Sequence, residues 1–212
     1  MNFIRVYFEN LRKTLEKNSN LALSLALIFI VVIGVASAFA DQFNSLLTTY
    51  GINTLLNPNV NMNSVLDVFL NNEIAALSTY LLSIFFGIVS IFSVILNGLS
   101  LGILYGTTFS QQNFAVFVAY ILPHGIFEIP AIILESVAGI LLFKFLYFFV
   151  KKSFTYRSPS FKEGMVKSWD ENKVYLIHSV VLIIFVSILL IIAAIIEVYL
   201  TPTIGSYVAN LF

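Results

Sequence analysis

The sequence predicts an all-α, polytopic helical membrane protein, and three observations carry that prediction. Apolar residues fill 59% of the 212 positions and charged residues only 10%, whereas a soluble domain covers itself with about 25% charge. Several uncharged runs are long enough to cross a bilayer. The basic residues fall in only two blocks. A mean hydropathy of +0.95 agrees. This composition excludes a water-soluble enzyme domain, a disordered tail and a nucleic-acid binder. Net charge is zero, so bulk charge identifies no partner. With no cysteine, disulfides, thiol nucleophiles and thiolate metal ligands are absent.

Residues 1–17 set Phe3, Val6, Tyr7 and Leu11 against Arg5, Glu9, Arg12 and Lys13. That pattern predicts a helix lying along the inner surface before it turns into the first span. Asn18 to Ala40 carries no formal charge and predicts a span over about 20–40. No small-residue cleavage site ends it, so it is expected to be retained. Residues 41–73 are Asn-rich, include Asn57-Pro58, and read as an external segment with a short helix running into Asn71-Asn72.

Ile74 to Pro123 is also uncharged. As one helix it would rise about 75 Å, against a hydrocarbon core of about 30 Å, so it must turn. Asn97-Gly98 is a turn dipeptide near its middle, predicting spans at about 74–96 and 99–122. A fourth span is expected at 124–149, with Pro123 at its start and Pro130 bending it. In the 151–173 loop, Ser160 and Glu163 have capping-box spacing. They predict a short amphipathic helix at 161–170 with Phe161, Met165 and Trp169 on one face. The last span is expected at 174–200. The whole chain, 1–212, reads as one integral membrane domain with short interfacial helices.

Gln111, Gln112 and Asn113 fall inside the third predicted span. Either the span is broken there and buried in the bundle, or 106–113 is a loop. A loop would fuse the flanking runs into two long helices and leave four spans. Charge placement favours five. Arg5, Arg12, Lys13 and Lys17 precede the first span, and Lys144, Lys151, Lys152, Arg157, Lys162, Lys167 and Lys173 surround the 151–173 loop. Segment 41–73 and the C-terminal tail have no basic residue. The positive-inside rule then puts the N-terminus and the loop in the cytoplasm, with 41–73 and the C-terminus outside. Four spans would put the second basic block outside.

His124, Glu128, Ala131, Glu135 and Ala138 are spaced 4, 3, 4 and 3, one stripe of a helix. Such groups facing lipid would cost several kcal/mol, so they are expected to face protein or a cavity. They could be polar glue between helices, or an ion path or substrate site. Glu197 should lie near the depth of His124 and Glu128, with His178 at the other end. His124 and Glu128 offer two metal ligands where a catalytic zinc site needs three, and no H-E-x-x-H string occurs, so no metal or cofactor is expected. Glu128 and Glu135 lie about 10 Å apart along a helix, too far for a hydrolytic carboxylate pair. No P-loop, dinucleotide fingerprint or nucleophile elbow is present, and no catalytic residue is expected. Gly98, Gly102 and Gly106 let a neighbouring backbone approach closely, either in a homodimer or within the chain.

The string Pro123-His124-Gly125-Ile126-Phe127-Glu128-Ile129-Pro130-Ala131, continuing to Ala138-Gly139, resembles the signature of the stage II sporulation protein M family. Asn71-Asn72, Asn97-Gly98 with Gly102, and Glu197 through Thr201-Pro202 extend the resemblance over nearly the whole chain. Glu135 departs from the pattern of many relatives. The resemblance implies a five-span, non-enzymatic protein of the bacterial or archaeal membrane. In spore formers it implies an engulfment complex that anchors two peptidoglycan-degrading partners, stage II sporulation proteins D and P. The expected function is a membrane scaffold or anchor for envelope remodelling; the alternative is a transporter or channel using the His/Glu stripe. The expected partners are lipid and other membrane or envelope proteins.

Overall fold

The computed structural model describes residues 3–49, 64–109, 113–155 and 160–212. Every regular element among them is helical. In chain order these are α1 (Phe3–Ala38), α2 (Ala40–Thr49), α3 (Val65–Leu82) and α4 (Ile88–Leu104), which runs on as a π-helical turn through Phe109. They are followed by α5 (Phe114–Thr155), α6 (Phe161–Tyr199) and α7 (Thr201–Ala209). Among the described residues, four helices are long and apolar enough to cross a membrane: Ile4–Ala38, Ile88–Thr108, Phe114–Thr155 and Phe161–Tyr199.

The eighteen-residue α3 runs beside them as a fifth. Glu73 meets Ser187 of α6, and Tyr80 meets Ser179. As α3 advances the contacted α6 residue recedes, so the two are antiparallel. At α5, Asn72 meets Glu128, and Ser83 lies against Gly139, so that pair is parallel. Asn72, Glu73 and Tyr80 of α3 therefore face protein rather than lipid, while Asp67 near its start is exposed.

The passes between the predicted second and fourth spans turn at different places from those expected. Asn97-Gly98 lies inside α4. Asn97 Nδ2 donates to the Ser93 carbonyl at 2.9 Å, and Gly98 is there for packing. The chain turns instead at Ser83–Gly87, where Phe86 and Gly87 both take left-handed backbone (φ 62° and 67°), a conformation glycine adopts at little cost. The π-helical turn ends at Phe109 and α5 begins at Phe114; Gln111-Gln112 lies outside the described residues, and Asn113 accepts from the Ala115 amide just before α5. The segments 74–96, 99–122 and 124–149 are thus replaced by Val65–Leu82, Ile88–Phe109 and Phe114–Thr155. Among the described residues, four helices qualify as spans by length and composition, and α3 packs beside them as a shorter, more polar helix. Asn57-Pro58 lies outside the described residues.

Three smaller expectations also change. Residues 3–17 do not form a separate surface helix; they open the continuous α1, with Leu11 buried and Tyr7 Oη donating to the Val181 carbonyl at 3.1 Å. Ser160 does cap a helix, accepting from the Glu163 amide, but that helix runs unbroken to Tyr199 because no Pro or Gly follows Gly164 before its end. Pro123 lies within α5, not at its start. Each proline denies one hydrogen bond to the carbonyl four residues back, and neighbouring helices let the helix continue.

The glycine stripe is consumed within the chain. Gly98 lies against Phe29 and Val32, Gly102 against Ile33 and Ala36, and Gly106 against Ser37 and Ala40. The rising register makes α1 and α4 parallel.

α5 and α6 form an antiparallel hairpin of 42 and 39 residues, about 60 Å long, twice the hydrocarbon thickness. Along it Ser179 donates to the Ala138 carbonyl at 2.9 Å, Ser168 to the Phe149 carbonyl at 2.8 Å, and Lys152 pairs with Glu171 at 3.0 Å. Trp169 packs edge-on against Phe145 and Phe149. Its face therefore turns toward α5, not only toward an interface.

Candidate functional site: an acidic seam inside the bundle

Helix geometry explains why α5 presents its acids inward. Ala131, Glu135, Ala138 and Gly139 are buried, with Glu135 only 5% exposed. The stripe read from spacing alone is the stripe that meets α3, α4 and α6. Ser93 Oγ of α4 donates to Glu135 at 2.9 Å, and Asn97 braces Ser93 from the next turn. Asn72 of α3 donates to Glu128 at 3.4 Å. The Ser187 hydroxyl of α6 donates to Glu73 at 2.7 Å, while the second Glu73 oxygen is buried without a partner.

At the end of the bundle where α6 meets α7, His124 Nδ1 lies 3.1 Å from the Thr201 hydroxyl, and Nε2 lies 3.7 Å from Glu128. Glu197 completes a group of three: one ligand atom from each of His124, Glu128 and Glu197 lies within 4.8 Å of the others. A cavity of about 180 Å³ opens here, lined by His124, Gly125, Glu128, Asn97, Ser100 and apolar neighbours. It has room for several waters or a small polar ligand.

One feature sets the electrostatics. The chain has no Lys or Arg between Lys17 and Lys144 or after Lys173. Glu73, Glu128, Glu135 and Glu197 therefore face one another, serines, asparagines and one histidine, with no resident cation at their level. A buried carboxyl so placed holds a proton or attracts a cation. The other histidine, His178, sits at the opposite end, 3.5 Å from Asn18.

Of the sequence-selected residues, His124, Glu128 and Glu197 meet, and Glu135 joins the same seam one stretch along α5. Asn72 and Asn97 hydrogen-bond into the seam, whereas Asn71 donates to Asn72. Gly139 lets Ser83 and Ser90, both fully buried and 2.6 Å apart, sit against α5. Gly125 leaves open the cavity wall, and Pro123 and Pro130 flank it on α5. Sequence reasoning missed Glu73, Ser93 and Ser187, and it singled out Thr201 only as part of the family resemblance. The signal for Glu73 was present: Val68, Asn72, Ala76 and Tyr80 recur every four residues, so a helical stripe begins before Ile74.

No solved structure matches the chain. An uncharacterized protein of Methanocaldococcus jannaschii is 36% identical over 126 residues, 59% of this chain and 64% of the relative. The chain thus spans less than two thirds of that relative's length. The family described as stage II sporulation protein M matches residues 22–202, a stretch that holds every residue of the acidic seam, and the chain belongs to that family.

Proposed function

We propose that this protein is a non-enzymatic scaffold or anchor in a membrane complex, with the N-terminus cytoplasmic and the C-terminus outside. The observation that carries this reading is the α5–α6 hairpin. It is about twice as long as the bilayer core is thick, so a large part of it must stand clear of the hydrocarbon. The surplus belongs at the end holding all seven basic residues of the second block, because such residues stay cytoplasmic. That end exposes Phe154, Phe161, Val166 and Trp169, apolar groups a partner would cover. Envelope remodelling is the process the family resemblance implies.

Photo-crosslinking in cells tests it. A photoreactive residue at Val166 should give an adduct with another protein, whereas one at the apolar surface position Ile188 should give lipid adducts. Only lipid adducts at both positions would refute the scaffold. A second reading, cation transport, is supported by the seam and its cavity. It requires flux into liposomes that Glu135→Gln abolishes; unchanged flux in that variant removes it.

A further inference from the structure

We propose that His124, Glu128 and Glu197 bind a divalent transition-metal ion, of the zinc or manganese class, that fastens α5 to the end of α6. The inference does not depend on the scaffold reading. It starts from an excess of acceptors. In the tautomer that donates Nδ1–H to Thr201 Oγ1 (3.1 Å), the His124 Nε2 lone pair points toward Glu128, 3.7 Å away. Glu197 brings a second carboxylate within 4.8 Å. Three acceptors then converge with no chain cation between Lys17 and Lys144 to separate them.

The surroundings resemble those of a metal ligand set. A ligating histidine normally gives its other ring N–H to an oxygen, which fixes ring and tautomer; Thr201 supplies that oxygen. Ligating carboxylates are themselves held by donors, and Asn72 Nδ2 donates to Glu128. One nitrogen and two carboxylates suit zinc or manganese, with metal–ligand bonds of about 2.0–2.2 Å. Closing from 4.8 Å to ligand contact takes side-chain adjustment of about an ångström in each glutamate. The cavity lined by His124 and Glu128 leaves a coordination position for water, the arrangement of an open three-ligand site. Two ligands come from α5 and one from the end of α6, with Thr201 of α7 behind them, so a bound ion links the helices at the end of the hairpin.

The test uses the full chain purified in detergent and stripped with chelator. Zinc or manganese chloride should raise the thermal unfolding midpoint by several degrees. About one equivalent should remain after dialysis by elemental analysis, and calcium and magnesium should do neither. Glu197→Gln should weaken binding at least tenfold. Thr201→Val, which leaves all three ligands, should weaken it about 10–100-fold, as loss of an outer partner does. Glu135→Gln, one stretch along the seam, should leave binding unchanged. Cobalt(II) absorption gives a readout independent of folding, its visible bands requiring His124. Absence of stoichiometric metal, or binding by Glu197→Gln and Thr201→Val as tight as by the unaltered chain, would overturn the proposal and leave protons as the only occupants.

Discussion

Replacing Gly102 with leucine is expected to force α1 away from α4 and lower the unfolding midpoint in detergent by about 5–10 °C. A Cβ at Gly102 would already stand 2.6 Å from the Ile33 carbonyl oxygen and from Ala36 Cβ. The obstruction is backbone and a short side chain on a helix held at both ends, so it cannot swing aside. Overpacking of this kind costs about 1–3 kcal/mol, and each kcal/mol moves the midpoint of a chain this size by about 2–4 °C. Gly34→Leu is the control, because nothing lies within 4 Å of a Cβ there. Equal loss in both variants would mean that the Gly98-Gly102-Gly106 stripe does not pack on α1.

The second large effect is expected at Gly139. Its Cβ would run into Ser90 Oγ and approach Ser83 Oγ to 2.7 Å and Ser83 Cβ to 2.8 Å. Those serines are fully buried and hydrogen-bonded, Ser83 also donating to the Thr79 carbonyl at 2.6 Å. Gly139→Ala must either separate α3 and α4 from α5 or strip the pair of its bonds, and a buried donor left unmet costs about 1–3 kcal/mol. Gly125→Ala, in the same helix, meets only the tips of Ile121 and Ile129 at 3.5 and 3.6 Å, ordinary contact. Gly139→Ala should lose several degrees of midpoint and Gly125→Ala almost none; the reverse order would refute the three-helix junction at Ser83 and Ser90.

The membrane class and the inward stripe of α5 were legible because both are written in short-range periodicity. Where a residue's role depends on its partner helix, the reading was less complete. Asn97-Gly98 has the chemistry of a turn, yet Gly98 is matched to Phe29 and Val32 across the α1–α4 contact. Ser83–Gly87 makes the turn with no Asn-Gly or Pro-Gly signal. Glu73 looked external because charge marks the edge of an apolar run in an isolated helix; in the bundle Ser187 receives it. The pairing of Glu197 with His124 rested on expected depth alone. Thr201, which orients the ring, could not be found without the α6–α7 junction.

The proposed orientation has the α5–α6 hairpin projecting on the cytoplasmic side and α7 on the other. A chain without cysteine makes the measurement direct. Single cysteines at Lys162, in the first turn of α6, and at Ser206, in α7, are treated with a membrane-impermeant maleimide in right-side-out and inverted vesicles. The account predicts that Lys162→Cys reacts only in inverted vesicles and Ser206→Cys only in right-side-out ones. Reaction of both positions from one face, or of Lys162→Cys from outside, would contradict it.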